Sequence, residues 1–318
     1  MKNIYSNIYK PNLKNLSKAK KIIENNSVIG LPTETVYGLA ANAYSDKAAK
    51  NIFKLKKRPN FNPLIIHFKN LESLKKDVIL NKSFIKLYQE FCPGPITFIL
   101  QKKSKSKISK IATAQKKTVA VRIPKHVGAR KLLKILKTPL AAPSANISSK
   151  LSPTSSNDVV DEFKSKIKFI LEGGRSKIGL ESTIVDLTGK PNILRPVAIS
   201  PERIKKILKT KFTVEKNFKK IKAPGQLKSH YSPGIPIKLN IKKPKKNEAV
   251  IGFGKKFKVK ENHFNLSKNG NLNEAANNLY KTLRKIKNNG FKSIIVNKIP
   301  NGGIGLAIND RLKRASNK

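Results

Sequence analysis

The sequence predicts an α/β protein of two domains joined by a linker. Three observations predict it. Short apolar runs with strand character alternate with amphipathic stretches of helical spacing. A length of 318 residues suits two domains of roughly 100–200 residues each. The alternation is broken once, at 210–236, by a basic stretch with three prolines and two glycines. The predicted units are a larger domain over 1–209, a linker or lid over 210–236, and a small α/β domain over 237–318.

The elements follow in order. "LKNLSKAKKIIENN" (13–26) gives a short basic helix, and "SVIGLP" (27–32), ended by Pro32, gives a buried strand. "LPTETVYGLAANA" (31–43) is expected to leave that strand and enter a small-residue helix. Another helix follows in "DKAAKNIFKLKKR", with Asp46 as its N-cap. "PLIIHF" (63–68) is a strand. "LESLKKDVIL" and "SFIKLYQEF" are helices, the second stopped by Pro93 and Gly94. Strands are expected at 96–100, 118–123 and 139–145, with the helix "HVGARKLLKIL" between the last two. "IKFILEGG", "STIVDL" and "NILRPV" have strand character. "SPERIKKILK" begins a helix with Ser200 as cap and Pro201 in its first turn. Beyond the linker come strands "IKLNI" and "AVIGFG", a helix over about 273–286, the strand "SIIVNKIP" and a closing helix after "GGIGL".

Composition bounds the function. Sixty-eight Lys plus Arg stand against 18 Asp plus Glu, a formal charge of +50. That balance suits a partner with phosphates. It also suits an A/T-rich coding bias, since Lys is spread along the chain with Asn and Ile. Cys92 is the single cysteine, which excludes a disulfide or thiolate metal site within one chain. The polar N-terminus carries no apolar signal core. No apolar run reaches the ~20 residues of a membrane span. A cytoplasmic protein with no membrane partner is expected.

Five polar clusters carry chemistry, at strand ends or in loops where open α/β sheets bind ligands. Thr33, Glu34, Thr35 and Tyr37 follow a buried strand. Lys56 and Arg58 stand at i and i+2, followed by Asn62 and His67; such cations grip neighbouring phosphate oxygens. Thr118 and Arg122 share one face of a strand. A buried Arg there needs an anion, from the protein or from a ligand. Ser144, Asn146 and Ser152 lie in "AAPSANISSKLSPT". Ser182 opens "STIVDL", and Arg195 sits in "ILRPV". There is no Walker-type phosphate loop, zinc spacing or hydrolase elbow.

Together these segments resemble the YrdC family in its longer two-domain form, the threonylcarbamoyl-AMP synthases. "PTETVYGL", Lys56-x-Arg58, "NPLIIH", "PGPITFIL", "VAVRIP", "APSAN" and "STIVD" come in the family's order. "PGQLKSHYSPG" resembles its linker motif, and "GIGLAINDRLKRA" its C-terminal end. Lys57 departs from the family's usual Gly.

The resemblance implies a twisted, concave YrdC-like α/β sheet followed by a smaller Rossmann-like domain. It implies threonine-binding positions at Thr35, His67, Arg122, Ala142 and Ser182. It implies ATP-binding positions at Arg58, Asn62, Thr118, Ser144, Ser152, Arg195 and Tyr231. Lys56, Arg58, Ser144 and Asn146 form the signature assigned to catalysis. The implied activity is a nucleotidyltransferase that makes threonylcarbamoyl-AMP from L-threonine, bicarbonate and ATP for modification of adenosine 37 in tRNA. Mg²⁺ would be held by the ATP phosphates rather than by a protein metal site. Implied partners are a tRNA threonylcarbamoyl transferase complex and tRNA or double-stranded RNA. A double-stranded RNA or tRNA binding protein is the alternative reading of the charge, and carbamoyl transfer to another acceptor is a third. Lys56→Ala is expected to lower turnover more than folding stability.

Overall fold

The computed structural model describes residues 5–209, 213–214, 230–240, 244–245, 247–258 and 260–317. The chain begins with strand β1 (Ile8–Tyr9), helix α1 (Leu13–Glu24), strands β2 (Ile29–Leu31) and β3 (Gly38–Asn42), helix α2 (Asp46–Lys56) and strand β4 (Ile65–His67). Helices α3 (Leu71–Lys75) and α4 (Lys82–Phe91), strands β5 (Ile96–Gln101) and β6 (Thr118–Arg122), helix α5 (Val127–Ile135) and strand β7 (Leu140–Ala141) follow. Next come α6 (Ser156–Phe163), β8 (Ile170–Leu171), β9 (Thr183–Asp186), β10 (Asn192–Arg195), α7 (Pro201–Leu208) and β11 (Thr213–Val214). The remainder is β12 (Ile237–Leu239), β13 (Glu248–Gly252), β14 (His263–Asn265), α8 (Leu272–Asn288), β15 (Ser293–Val296) and α9 (Gly305–Ser316).

The first domain is one mixed sheet in the order β1-β8-β2-β3-β7-β4-β6-β5-β9-β10-β11. Apolar residues fill both of its faces. Leu39 and Ala41 point into one core, Ala40 into the other. That alternation explains why β3 is a strand and not the expected small-residue helix. Its alanines are buried on both sides, so the sequence shows no period of two. Helix α2 is capped by the Ser45 side chain, which accepts from the Ala48 amide; Asp46 stands in the first turn instead. Helix α3 ends at Lys75, because Val78 turns away to bridge Lys102. The unpredicted α6 starts with a reciprocal cap between Ser155 and Asp158 and buries Val159, Val160 and Phe163.

The second domain is a four-stranded parallel sheet in the order β12-β15-β13-β14. Its core also takes in Val36, Leu151, Leu180 and Val197 of the first domain, so the two domains share buried apolar surface. Helix α8 lies close against the loop before β9. A Cβ on Gly179 would stand 2.6 Å from the Asn277 Cα, and Gly179 has φ +78°. Glycine alone satisfies both conditions. Most of the expected linker, residues 215–229, lies outside the described residues. From His230 the chain runs along the first domain, where Ser232 bonds the Ser149 carbonyl. Among the described residues, no helix is long and apolar enough to cross a membrane.

Candidate active site

Five neighbouring strands place polar side chains in a row across the first sheet. His67 at the end of β4 pairs in register with Arg122 at the end of β6. Thr97 on β5 meets Ser182, just before β9, with 2.7 Å between their hydroxyl oxygens. Arg195 at the end of β10 donates from Nε to the Ser182 carbonyl at 2.9 Å and from Nη2 to its hydroxyl at 3.1 Å. At the usual ~4.8 Å between strands, the row from His67 to Arg195 spans roughly 19 Å. The loops before β3 and after β7 close over it with Thr35, Ala142 and Ser144.

The two ends of the row differ. At the first, Arg122 donates from Nη1 to the Thr35 hydroxyl and from Nη2 to the Glu34 carboxylate, both at 2.8 Å, and from Nε to the Gly94 carbonyl. The protein carboxylate that the sequence left open is therefore Glu34, which also accepts the amides of Lys125 and His126. Burial pushes the Glu34 carboxyl upward, but Arg122 and the backbone amides of Glu34 and Lys125 bring it below the usual carboxylate range. His67 is buried, and neither ring nitrogen is hydrogen-bonded among the described residues. Burial, reinforced by the Arg122 charge, holds its pKa down to about 3. A buried imidazole without partners in a polar cavity calls for a polar ligand.

At the other end stand Arg58, Arg195, His230 and Tyr231. Among the described residues, Arg58 donates to neutral oxygens: the Asn62 carbonyl, the Asn62 Oδ1 at 2.6 Å and the Pro63 carbonyl. Burial and the nearby Arg195 charge bring its pKa down to about 9. Arg58 and Arg195 line the same end of the cavity and repel one another, with the Glu181 carboxylate acting on Arg195, and phosphate oxygens fit beside such a pair. Tyr231 presents a buried hydroxyl with no partner among the described residues. Burial also holds His230 down to about 3.

Of the residues expected from sequence, Thr35, Arg58, His67, Arg122, Ala142, Ser144, Ser182, Arg195 and Tyr231 line one cavity of about 40 Å³. The others stand behind it. Lys56 is fully buried, and its Nζ donates to the carbonyls of Ser144 and Asn146. Asn62 braces Arg58. Ser152 donates to Glu181 at 2.6 Å. Asn146 donates to the carbonyls of Ile147 and Lys150, while its Oδ1 has no partner among the described residues. Thr118 opens β6, roughly 13 Å along the strand from Arg122, and does not line the cavity.

Sequence reading missed three residues here. Glu181 and His230 line the cavity, and Arg311 of α9 pairs with Glu181. The only signal for Glu181 was an acid at a strand start in a chain with so few acids. The signal for His230 was its place beside Tyr231.

Both buried histidines predict acid sensitivity. Their folded pKa values lie below 6.5, so below that pH the unfolded chain binds more protons and stability falls. The unfolding free energy is expected to drop from pH 6 to pH 4 by up to about 1.4 kcal/mol per unit for each histidine. Glu34 and Glu181, held low in the fold, add to the loss below about pH 4.5. Urea titrations across this range check it, and a flat profile to pH 4 would contradict it.

Known proteins resemble this chain in sequence and fold. The profile of the Sua5/YciO/YrdC family, described as telomere recombination, matches residues 21–197. A second profile, described as the threonylcarbamoyl-AMP synthase C-terminal domain, matches 199–317. The threonylcarbamoyl-AMP synthase of Pyrococcus abyssi is 37% identical over 323 residues, covering 94% of this chain and 93% of that protein. That of Bacillus subtilis is 33% identical, covering 95% and 92%. The crystal structure of P. abyssi Sua5 complexed with L-threonine superposes with a TM-score of 0.88 at 34% identity, covering 97% of this chain and 96% of that one. The chain therefore belongs to the Sua5/YciO/YrdC family, in the two-domain form that carries the C-terminal domain of the threonylcarbamoyl-AMP synthases.

Proposed function

We propose that the chain joins L-threonine, bicarbonate and ATP into threonylcarbamoyl-AMP and releases pyrophosphate. One observation carries the reading. A single row of side chains offers a carboxylate and amine site at one end, around Arg122 and the unpartnered His67, and a phosphate site at the other, between Arg58 and Arg195. The similarity to relatives that bear the synthase name supports it.

The chemistry follows from that spacing. The threonine amine forms a C–N bond to the carbon of bicarbonate, and water leaves. An oxygen of the resulting N-carboxylate attacks the α-phosphorus of ATP. The bond from that phosphorus to the bridging oxygen breaks, and pyrophosphate carries off the electron pair. No protein nucleophile is required. The protein aligns two anions and stabilises charge on the phosphates.

In this reading Arg122 and Thr35 take the threonine carboxylate, with His67 and Ser182 beside the substrate. Arg58, Ser144 and Arg195 take the phosphates, and Tyr231 covers the nucleotide. Asn62, Ser152, Lys56 and Asn146 hold those groups in place. Magnesium enters as part of the MgATP substrate, and Glu181 is already committed to Arg311 and Ser152. Free space of about 40 Å³ holds only a few waters. ATP is far larger, so in this reading the cavity wall, which includes His230 and Tyr231, opens to admit it. The product would pass to a transferase complex that modifies tRNA, and the +50 charge would favour an RNA partner.

Pyrophosphate release tests the reaction. It is expected to require threonine, bicarbonate and MgATP together. Release without threonine would refute the reading. Salt-sensitive RNA binding with no turnover would put RNA recognition in its place.

A further inference from the structure

The second domain sends one side chain to the edge of the site. Arg311 on α9 is 2% exposed. Its Nε and Nη2 both donate to Glu181 Oε2 at 3.2 Å, and its Nη1 donates to Asp310 at 2.6 Å. The guanidinium lies 4.9 Å from the centre of the Tyr231 ring. On α8, Tyr280 stacks near Tyr231, with centres 5.9 Å apart and planes 19° from parallel. The Tyr280 hydroxyl donates to Glu181 at 3.1 Å. Tyr231 itself sits at φ +65°, a backbone conformation that costs a non-glycine residue about 1–2 kcal/mol.

The domains already share an apolar core, so a buried ion pair is a costly way of joining them. What Arg311 adds is orientation. Its charge fixes the Glu181 carboxylate, and it lies against the Tyr231 ring; both of those residues line the cavity. We propose that Arg311 is a positioning residue for the nucleotide side of the site, supplied by the second domain and acting through Tyr231 and Glu181. The proposal rests on the synthase reading given above. It gives the second domain a role in ATP affinity and none in threonine capture, because Thr35, His67 and Arg122 belong to the other end of the row.

The test is steady-state kinetics on the full chain, with thermal unfolding as the folding control. Arg311→Lys keeps the charge opposite Glu181 and loses the flat face beside Tyr231. It is expected to fold, to raise the KM for ATP about five- to tenfold, and to leave the KM for threonine within about twofold. Arg311→Met is expected to raise the KM for ATP further. Should Arg311→Met not fold, Arg311→Lys decides alone. A folded Arg311→Lys with an unchanged KM for ATP would overturn the proposal. So would parallel rises for ATP and threonine, the mark of a merely structural residue. If the unsubstituted chain shows no threonine-dependent pyrophosphate, the synthase reading itself fails and this proposal falls with it; an active chain with indifferent variants refutes Arg311 alone.

Discussion

Arg122→Met is expected to raise the threonine KM about 100-fold or more, which is close to 2.7 kcal/mol of lost binding. The guanidinium is the cation of its end of the row, and each of its nitrogens already donates once to a fixed partner. Its orientation is thus set before any substrate arrives. The same change leaves the buried Glu34 carboxylate without its ion pair and is expected to cost about 3–5 kcal/mol of folding stability. The double variant Arg122→Met with Glu34→Gln separates the two effects. It is expected to regain much of the stability and none of the threonine affinity. Urea unfolding and threonine calorimetry check the pair. Recovery of both together would mean that Arg122 acts on threonine only through the fold.

The second large effect is at Lys56. The sequence suggests a phosphate-gripping lysine whose loss harms turnover more than stability. The structure buries it completely, and burial brings its pKa well below the usual lysine value. Its ammonium joins the carbonyls of Ser144 and Asn146, tying the end of α2 to the loop after β7. Lys56→Met keeps the volume and strips two carbonyls of their donor, the buried one of Asn146, worth about 1–3 kcal/mol, and the part-buried one of Ser144, worth somewhat less. Stability is expected to fall by roughly 2–5 kcal/mol, with turnover falling as Ser144 loses its fixed position. Urea unfolding beside a single-turnover assay checks this. Lost turnover at unchanged stability would return Lys56 to direct contact with phosphate.

The contrast at Lys56 marks how far the sequence could be read. The α/β class, the two domains and most elements were legible, because apolar β-branched runs such as "TVAVRI" and caps such as Ser200–Pro201 are local signals. The β3 strand was not, because "GLAAN" is apolar and small on both faces and has no period. Helix α6 was hidden behind a run of Ser, Pro and Asn that suggests only a loop. Individual site residues showed as polar side chains at strand ends. Which of them face the cavity was not legible. Lys56 and Arg58 lie two residues apart, yet one is turned to carbonyls and the other to the cavity by the helix end between them, where Lys57 takes φ +48°. Arg311 was silent and Glu181 nearly so, because their meaning lies in a contact 130 residues apart.

The central claim is that one row of side chains brings a threonine-derived carbamate to the α-phosphate of ATP. The most direct measurement incubates the full chain with MgATP, L-threonine and ¹³C-bicarbonate and reads the adenylate product by mass. The expected result is threonylcarbamoyl-AMP carrying one ¹³C and appearing in step with pyrophosphate. An adenylate without the label, or pyrophosphate with no threonine-containing product, would contradict the claim.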